Sequence, residues 1–115
     1  MSYKQGDIVW LNARYTDGSG EKERPLLVIS NSSLSNVDEV IAIKISKTHF
    51  NNGYCFRISE KDLSQPLPEE YSSIHINSLY SYSVHTFSSR KKPIKVNKNF
   101  LSEIIDKVAD LIEIE

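Results

Sequence analysis

Residues 24–31 read RPLLVISN, a continuous apolar run that begins just past a proline and ends in polar residues. Such a run is typical of a buried β-strand. Residues 7–13 (DIVWLNA) and residues 40–46 (VIAIKIS) lie on either side of it and are rich in β-branched and aromatic side chains. Three runs of this kind, separated by polar segments, predict that a sheet forms the centre of the fold.

The second half of the chain continues the strand pattern. Residues 54–58 (YCFRI) follow an Asn-Gly pair, which favours a tight turn, so we expect them to form a long hairpin with residues 40–46. Residues 73–77 and residues 80–85 alternate in polarity with period two, which predicts two further strands with one buried face each.

The last segment changes period. Apolar residues recur at helical spacing at positions 101, 104, 105, 108 and 112, which predicts an amphipathic helix. Asn97 or Asn99 is suited to cap it. Residues 14–23 are predicted to be a surface loop, and residues 60–71 a loop or a short helical turn. Many short strands before one terminal helix predict a mainly β fold, a small antiparallel sheet or barrel with the helix across one side.

Composition limits the function classes. A chain of 115 residues that is 39% hydrophobic is sized for a single domain, residues 1–115. The formal charge of −1 excludes a uniformly basic nucleic-acid binder, so any such site has to be a local basic patch. No apolar run approaches the ~20 residues of a membrane helix, and the N-terminus lacks the apolar segment of a signal peptide. We therefore expect a cytoplasmic protein with no membrane contact.

The one cysteine, Cys55, has no second thiol to pair with, which favours a reducing compartment. A catalytic thiol activated by one of the three histidines is one interpretation. The better-supported interpretation is a small buried apolar residue, because Cys55 lies inside a predicted strand. No His, Cys, Asp or Glu residues are clustered at metal-ligand spacing, so neither a metal nor another cofactor is expected.

The order of these pieces resembles the PemK/MazF family of toxins. Residues 6–10 (GDIVW) are similar to the family's opening strand, and residues 17–21 (DGSGE) to its Gly/Ser/Glu-bearing loop. Residues 23–31 (ERPLLVISN) resemble its Arg-Pro strand, and residues 40–47 stand where the family has a strand that ends in Ile-Thr or Ile-Ser. The resemblance spans nearly the whole chain.

The resemblance implies an SH3-like or CcdB-like antiparallel barrel with a C-terminal helix. It also implies a homodimer that cuts single-stranded RNA without a metal and leaves a 2′,3′-cyclic phosphate. A cognate antitoxin protein would neutralise this endoribonuclease by lying across its RNA groove, in a complex that binds DNA.

Arg24 and Ser46 are the first candidate catalytic residues. A guanidinium next to a rigid proline can grip a phosphate with two hydrogen bonds, and the Arg that aligns with Arg24 is catalytic in the ribonuclease branch of the family. A surface Arg24 paired with Glu21 or Glu23 is the alternative. Ser46 aligns with the family's catalytic Thr or Ser, and its hydroxyl can donate to a phosphate oxygen. Thr48, two residues on, is a substrate-binding candidate that could replace Ser46.

His75 and Asn77 form a second pair, predicted to share one strand face because they lie two residues apart. One branch of the family has an Arg and an Asp at the matching positions, so this sequence departs from that pattern. His75 can act as acid or base near neutral pH and is the third catalytic candidate. Asn77 cannot transfer protons and is expected only to orient RNA. A solvated surface histidine is the alternative for His75.

Further substrate-binding candidates supply charge or flat rings. Lys44 and Lys47 would contact phosphates, and Tyr80 offers a ring on which an unpaired base can stack. The alternative is that these lysines are ordinary solvated surface residues and that the aromatic residues belong to the core.

Two other functions stay open. One is a non-catalytic poison like the gyrase-binding CcdB toxins, which share this fold. The other is a degenerate family member that binds RNA or a partner without cutting. Arg24 and a hydroxyl at position 46 favour the enzyme.

Overall fold

The computed structural model describes residues 3–14, 21–68 and 70–115. Over these ranges, six strands pair throughout in antiparallel fashion and one α-helix follows them. The predicted class, mainly β with a C-terminal helix, is confirmed. The elements are β1 (Asp7–Arg14), β2 (Glu21–Val28), β3 (Glu39–Ser46), β4 (Cys55–Arg57), β5 (Ser73–Ser83), β6 (Ile94–Lys95) and α1 (Lys98–Leu111). Their order in the sheet is β4-β5-β3-β2-β1-β6.

The sheet is apolar on both faces. Successive residues of β2 alternate between two buried clusters, Leu27 in one and Leu26 with Val28 in the other. The first cluster includes Ile104 of α1, so we call its side of the sheet the helix face. The second cluster lies on the opposite side, which we call the open face. This two-sided burial explains why residues 26–28 read as an unbroken apolar run rather than an alternating one.

The helix α1 packs through a narrow apolar stripe. Phe100, Ile104 and Val108 are its buried residues, spaced four apart as the predicted periodicity requires. Asn97 is the cap, because its side-chain oxygen accepts a 2.8 Å hydrogen bond from the backbone N–H of Phe100. Of the five predicted apolar positions, Ile104 and Val108 are buried, Leu101 and Ile105 are half-buried, and Ile112, just beyond the helix end, is exposed.

The predicted hairpin between residues 40–46 and 54–58 is wrong. The strand β4 pairs with β5, and β5 lies between β4 and β3 in the sheet. Residues 73–77 and 80–85 also do not form two strands, because β5 runs unbroken from Ser73 to Ser83. The partner of Lys44 is His75, whereas the partner of Ile43 is Leu79, so an irregularity of β5 falls between the predicted strands.

The connecting segments match the predictions in part. A 3₁₀ turn, Glu60–Asp62, lies in the segment predicted as a loop or helical turn. The polar residues after β2 form a 3₁₀ helix, Ser32–Val37. Of the predicted loop 14–23, residues 15–20 lie outside the described residues, whereas residue 14 belongs to β1 and residues 21–23 belong to β2, so the prediction is wrong at both ends.

Cys55 is buried and has no disulfide partner. Its burial agrees with the interpretation as a small apolar residue. The helices that the structure describes are too short or too polar to cross a membrane.

Candidate active site

A groove with a volume of about 460 Å³ opens on the open face, where β2, β3 and β5 lie side by side. It contains six of the eight residues that the sequence singled out for a site. Arg24 comes from β2, Lys44 and Ser46 from β3, Lys47 and Thr48 from the segment after β3, and Tyr80 from β5. The remaining lining residues are Leu11, Pro25, Leu26, Ile45, Tyr71 and Tyr82.

The strand β2 fixes the position of Arg24. Its backbone pairs with Leu11 of β1, and the next residue, Pro25, is among the most deeply buried side chains. Arg24 itself is exposed at the groove. Strand alternation turns the preceding Glu23 to the other face, where its Oε1 lies 3.7 Å from Nη2 of Arg90. The guanidinium of Arg24 is therefore presented to the groove from a rigid strand.

Ser46 and Thr48 form a short turn at the end of β3. The hydroxyl oxygen of Ser46 accepts a 3.1 Å hydrogen bond from the backbone N–H of Thr48. This bond uses a lone pair of the oxygen and leaves the hydroxyl proton for donation. Ser46 is half-buried, and its hydroxyl is held in the wall of the groove.

His75 lies behind the groove and not in it. Its side chain is only 5% exposed, and its Nε2 donates a 2.8 Å hydrogen bond to the backbone carbonyl of Thr48. A carbonyl oxygen can only accept, so Nε2 carries a proton. The ring of Phe50 packs against the imidazole with 5.5 Å between centroids. His75 therefore holds the segment that carries the groove residues.

A second histidine contributes to the same attachment. Nδ1 of His49 lies 2.9 Å from the hydroxyl oxygen of Ser73, which is fully buried in β5. The segment after β3 thus covers the start of β5 from the side opposite to Ile74 and Ile76, which pack in the helix-face cluster. Because both faces of β5 are covered here, four consecutive residues, 73–76, are buried.

The predicted pairing of His75 with Asn77 in one site is not seen. Asn77 is exposed within the irregular part of β5, and His75 is buried. Neither residue lines the groove. Because His75 and Asn77 lie two residues apart, the sequence predicted that their side chains share one face. That prediction holds only where the strand pairs regularly with its neighbours. That regularity ends between Lys44 and Ile43 in the partner strand.

The groove is cationic. Arg24, Lys44 and Lys47 line it, and its described lining includes no carboxylate and no imidazole. Nζ of Lys47 lies 3.3 Å from Oε1 of Glu70, in an ion pair of which both members are substantially exposed. Such surface pairs contribute little to stability, so Lys47 can exchange this partner for another anion at low cost.

Aromatic rings form the other part of the groove. Tyr80 is 62% exposed and packs edge-on against Tyr82. Burial, and to a smaller extent the nearby Tyr80, raise the pKa of Tyr82 above its ordinary value of 10.0, so its hydroxyl stays protonated at neutral pH. Sequence reasoning missed Tyr71, which lies in a segment predicted as a loop and carries no periodic signal.

A groove with three cations, a fixed hydroxyl and an exposed ring can bind a phosphate group next to a flat base. Within the described ranges, no three His, Cys, Asp or Glu side chains are grouped so that they could hold a metal ion.

Comparison with known proteins places the chain in a family. A family model described as PemK-like, MazF-like toxin of type II toxin-antitoxin system matches residues 4–112. A search of curated protein sequences gives no significant match. The structure is similar to a crystal structure of MazE-MazF from Deinococcus radiodurans, with a TM-score of 0.76 and 17% sequence identity over 100% of this chain and 99% of that one.

The structure is also similar to an endoribonuclease in complex with its cognate antitoxin from a mycobacterial species, with a TM-score of 0.72 and 13% identity over 99% of this chain and 100% of that one. At these identities the two likenesses show the fold alone. The family model covers residues 4–112, nearly the whole sequence. The chain therefore belongs to the family of PemK-like, MazF-like toxins of type II toxin-antitoxin systems.

Proposed function

We propose that this protein is the toxin of such a pair and that it cuts single-stranded RNA in the groove without a metal ion. The observation that carries this proposal is the convergence of Arg24 and Ser46 with Lys44 and Lys47 in one groove on the open face. Arg24 and Ser46 come from different strands, and both resemble catalytic positions of the family. A non-catalytic surface has no need of a fixed hydroxyl beside a guanidinium.

The groove residues stabilise charge on the scissile phosphate. Arg24 grips two phosphate oxygens, and the Ser46 hydroxyl donates to one of them. The 2′-oxygen of the ribose attacks phosphorus, the bond to the 5′-oxygen breaks, and a 2′,3′-cyclic phosphate and a 5′-hydroxyl end result. Negative charge grows on the phosphate during the attack, and Lys44 and Lys47 offset it. Preorganised charges of this kind are a large term in enzyme catalysis.

Water takes part in both proton transfers. It accepts the proton of the 2′-hydroxyl and returns one to the 5′-oxygen, because the described groove lining offers no carboxylate or imidazole. The protonated hydroxyl of Tyr82 serves as a further hydrogen-bond donor. Tyr80 stacks on a base next to the cut, which its exposure allows.

We assign His75 a positioning role in place of the acid or base role considered from the sequence. It reaches the groove only through the carbonyl of Thr48. Asn77 lies on the surface outside the groove and has no role in the chemistry proposed here.

The assembly proposed is a homodimer in the cytoplasm, each copy a single domain, held inactive by an antitoxin. On the open face, Tyr3 and Val84 pack on the buried cluster but remain partly exposed, and neither lines the groove. A second copy that covers this apolar surface would shield it from water. The antitoxin role follows from the family, whose members belong to toxin-antitoxin pairs. Light scattering after gel filtration tests the dimer.

The first experiment incubates the folded, antitoxin-free protein with a long single-stranded RNA in excess EDTA and maps the fragment ends. Arg24→Ala is the test variant. Arg57→Ala is the matched control, since Arg57 is also an exposed strand arginine but lies outside the groove. Discrete fragments with cyclic phosphate ends from the wild type and the control, and intact RNA with Arg24→Ala, are expected.

Intact RNA with every protein would overturn the ribonuclease and favour a non-catalytic toxin of the CcdB kind or a degenerate binding module. Cleavage that disappears in EDTA would keep the RNA substrate but reject the metal-free mechanism.

A further inference from the structure

A row of two rings with a cation at each end runs from the groove towards the basic turn at residues 90–92. Nζ of Lys47 lies 5.3 Å from the ring centre of Tyr71, and both residues line the groove. The ring of Tyr71 meets that of Trp10 edge-on, with centroids 6.0 Å apart. Nζ of Lys91 lies 4.0 Å from the ring centre of Trp10. We call Lys47, Tyr71, Trp10 and Lys91 the exit row.

The far end of the exit row is fixed to the sheet. The backbone N–H of Ser88 donates to the carbonyl of Trp10 at 2.8 Å, and the Ser88 hydroxyl accepts from the backbone N–H of Arg90 at 3.3 Å. Arg90 also lies near Glu23, with its own side chain 77% exposed. Lys91 and Lys92 follow it and are exposed. Three consecutive cations are thus presented beside β1.

We infer that substrate RNA continues out of the groove along the exit row and that its phosphates contact Lys91 and its neighbours Arg90 and Lys92. This inference rests on the proposed RNA substrate and deepens it. The whole chain carries a net charge of −1, so the cations of the groove and of residues 90–92 are a local concentration of positive charge. Trp10 and Tyr71 belong to the helix-face cluster, so a strand that leaves the groove has to pass Lys47 at the end of β3 before it reaches this second group of cations.

The rings of the exit row position cations and do not stack on bases. Trp10 and Tyr71 are both nearly buried, so their faces are covered by protein atoms and by the lysines. A lysine held over a ring has already lost much of its side-chain freedom, which lowers the entropic cost of a phosphate contact. The exit row therefore suits the phosphate backbone of RNA and adds affinity without reading sequence.

The carboxylates nearby do not block this path. Glu70 pairs with Lys47 at the surface, and Glu23 lies below Arg90 with only 18% of its side chain exposed. The exposed Lys47–Glu70 pair contributes little, so a phosphate can displace Glu70. Glu23 is mostly buried and stays beside Arg90, whose own side chain is 77% exposed. Lys91 contacts a ring and leaves its ammonium group open to a phosphate on the other side.

The test measures binding of random-sequence 2′-O-methyl RNA, which lacks the 2′-hydroxyl and so cannot be cut. One pool is short enough to fill only the groove, and a second pool is extended. Lys91→Gln should weaken binding of the extended pool about fivefold at roughly 0.1 M salt and reduce the salt slope by about 0.7. Binding of the short pool should not change. Lys92→Gln, which removes no ring contact, should act in the same direction.

The matched control is Lys107→Gln. Lys107 lies 4.4 Å from the ring centre of Phe56, so it makes the same kind of contact, but it belongs to α1 and lies outside the groove. It should bind both pools like the wild type. Melting curves show whether a loss of binding reflects unfolding. If Lys91→Gln is unstable, binding of the extended pool by Lys92→Gln is the test of the exit row.

Wild-type binding of the extended pool by both Lys91→Gln and Lys92→Gln would overturn the exit row. The exit row would also be overturned if Lys91→Gln weakened binding of the short pool as much as that of the extended pool, or if Lys107→Gln weakened binding of the extended pool as much as Lys91→Gln. Displacement of the extended RNA by poly-glutamate as effectively as by RNA of equal charge would reassign the surface to an acidic peptide. The binding assay does not depend on cleavage, so a protein that cuts RNA but shows no exit-row effect refutes only this inference.

Discussion

The backbone carbonyl of Thr48 accepts a 2.8 Å hydrogen bond from Nε2 of His75. Thr48 lines the groove, whereas His75 is buried behind it in β5. The bond therefore ties β5 to the segment that follows Ser46 and carries Lys47 and Thr48. A hydrogen bond of this kind contributes about 0.5–1.5 kcal/mol, so it helps to hold the segment in position.

Replacing His75 with leucine should lower the free energy of unfolding by about 0.5–1.5 kcal/mol and reduce cleavage, because the hydrogen bond to the Thr48 carbonyl is lost. His75→Gln keeps an amide N–H close to the position of Nε2 and should recover much of both losses. Urea denaturation measures the free energy of unfolding, and single-turnover cleavage measures the chemical step.

The pH profile separates positioning from proton transfer. A positioning role predicts that His75→Gln changes the rate but keeps the wild-type dependence on pH. If His75→Gln instead removed one limb of that profile, His75 would be the acid or base that the sequence suggested.

Arg24→Ala should reduce kcat/KM by about 100- to 1,000-fold, because it removes a preorganised donor to the phosphate. The free energy of unfolding should change by no more than about 0.5 kcal/mol, as expected for an exposed residue. Arg24→Lys keeps the charge but loses the planar fork, so it should retain RNA affinity better than kcat.

Equal losses in Arg24→Ala and Arg24→Lys would show that fork geometry is decisive, and full activity of Arg24→Lys would show that charge alone suffices. Full activity of Arg24→Ala would remove Arg24 from the mechanism.

The sequence predicted the groove better than the sheet order. Arg24 and Ser46 lie next to strong strand signals, and the family resemblance aligned them, so their convergence could be anticipated. The insertion of β5 between β3 and β4 could not, because an Asn-Gly turn reports only local geometry and strand pairing is a long-range choice.

The burial of His75 was equally hidden from the sequence. Period-two alternation predicts which residues share a face but not what covers that face. Here the segment with His49 and Phe50 folds back over β5 and encloses His75. A polar histidine on a strand therefore looked like a site residue, although its ring supports the site from behind.

Ser46→Ala should slow cleavage by roughly 10- to 100-fold, in line with the loss of one hydrogen bond to a charged group. Ser46→Thr keeps the hydroxyl and the acceptor for the Thr48 N–H, so it should stay close to the wild type. Thr48→Val tests the alternative that Thr48 supplies the hydroxyl. A larger loss in Thr48→Val than in Ser46→Ala, measured by single-turnover kinetics, would transfer the role to Thr48.

Tyr82 gives a prediction on alkaline stability. Burial, and next the neighbouring Tyr80, raise its pKa in the folded protein above 10.0, the value of an unperturbed tyrosine. Above that pH the unfolded chain releases a proton that the folded protein still holds, so the unfolded state binds fewer protons. The free energy of unfolding should therefore be fully maintained below about pH 10 and fall as the pH rises towards the folded pKa.

Tyr82→Phe should lose less stability between neutral and alkaline pH than the wild type, because it has no phenol at this position to ionise. Urea denaturation at both pH values measures the difference. Tyr54→Phe is the matched control, since Tyr54 is an exposed tyrosine outside the groove, and it should keep the wild-type decrease. The same decrease in Tyr82→Phe as in the wild type would mean that other groups cause the alkaline loss and that the Tyr82 hydroxyl is no better shielded than one in water.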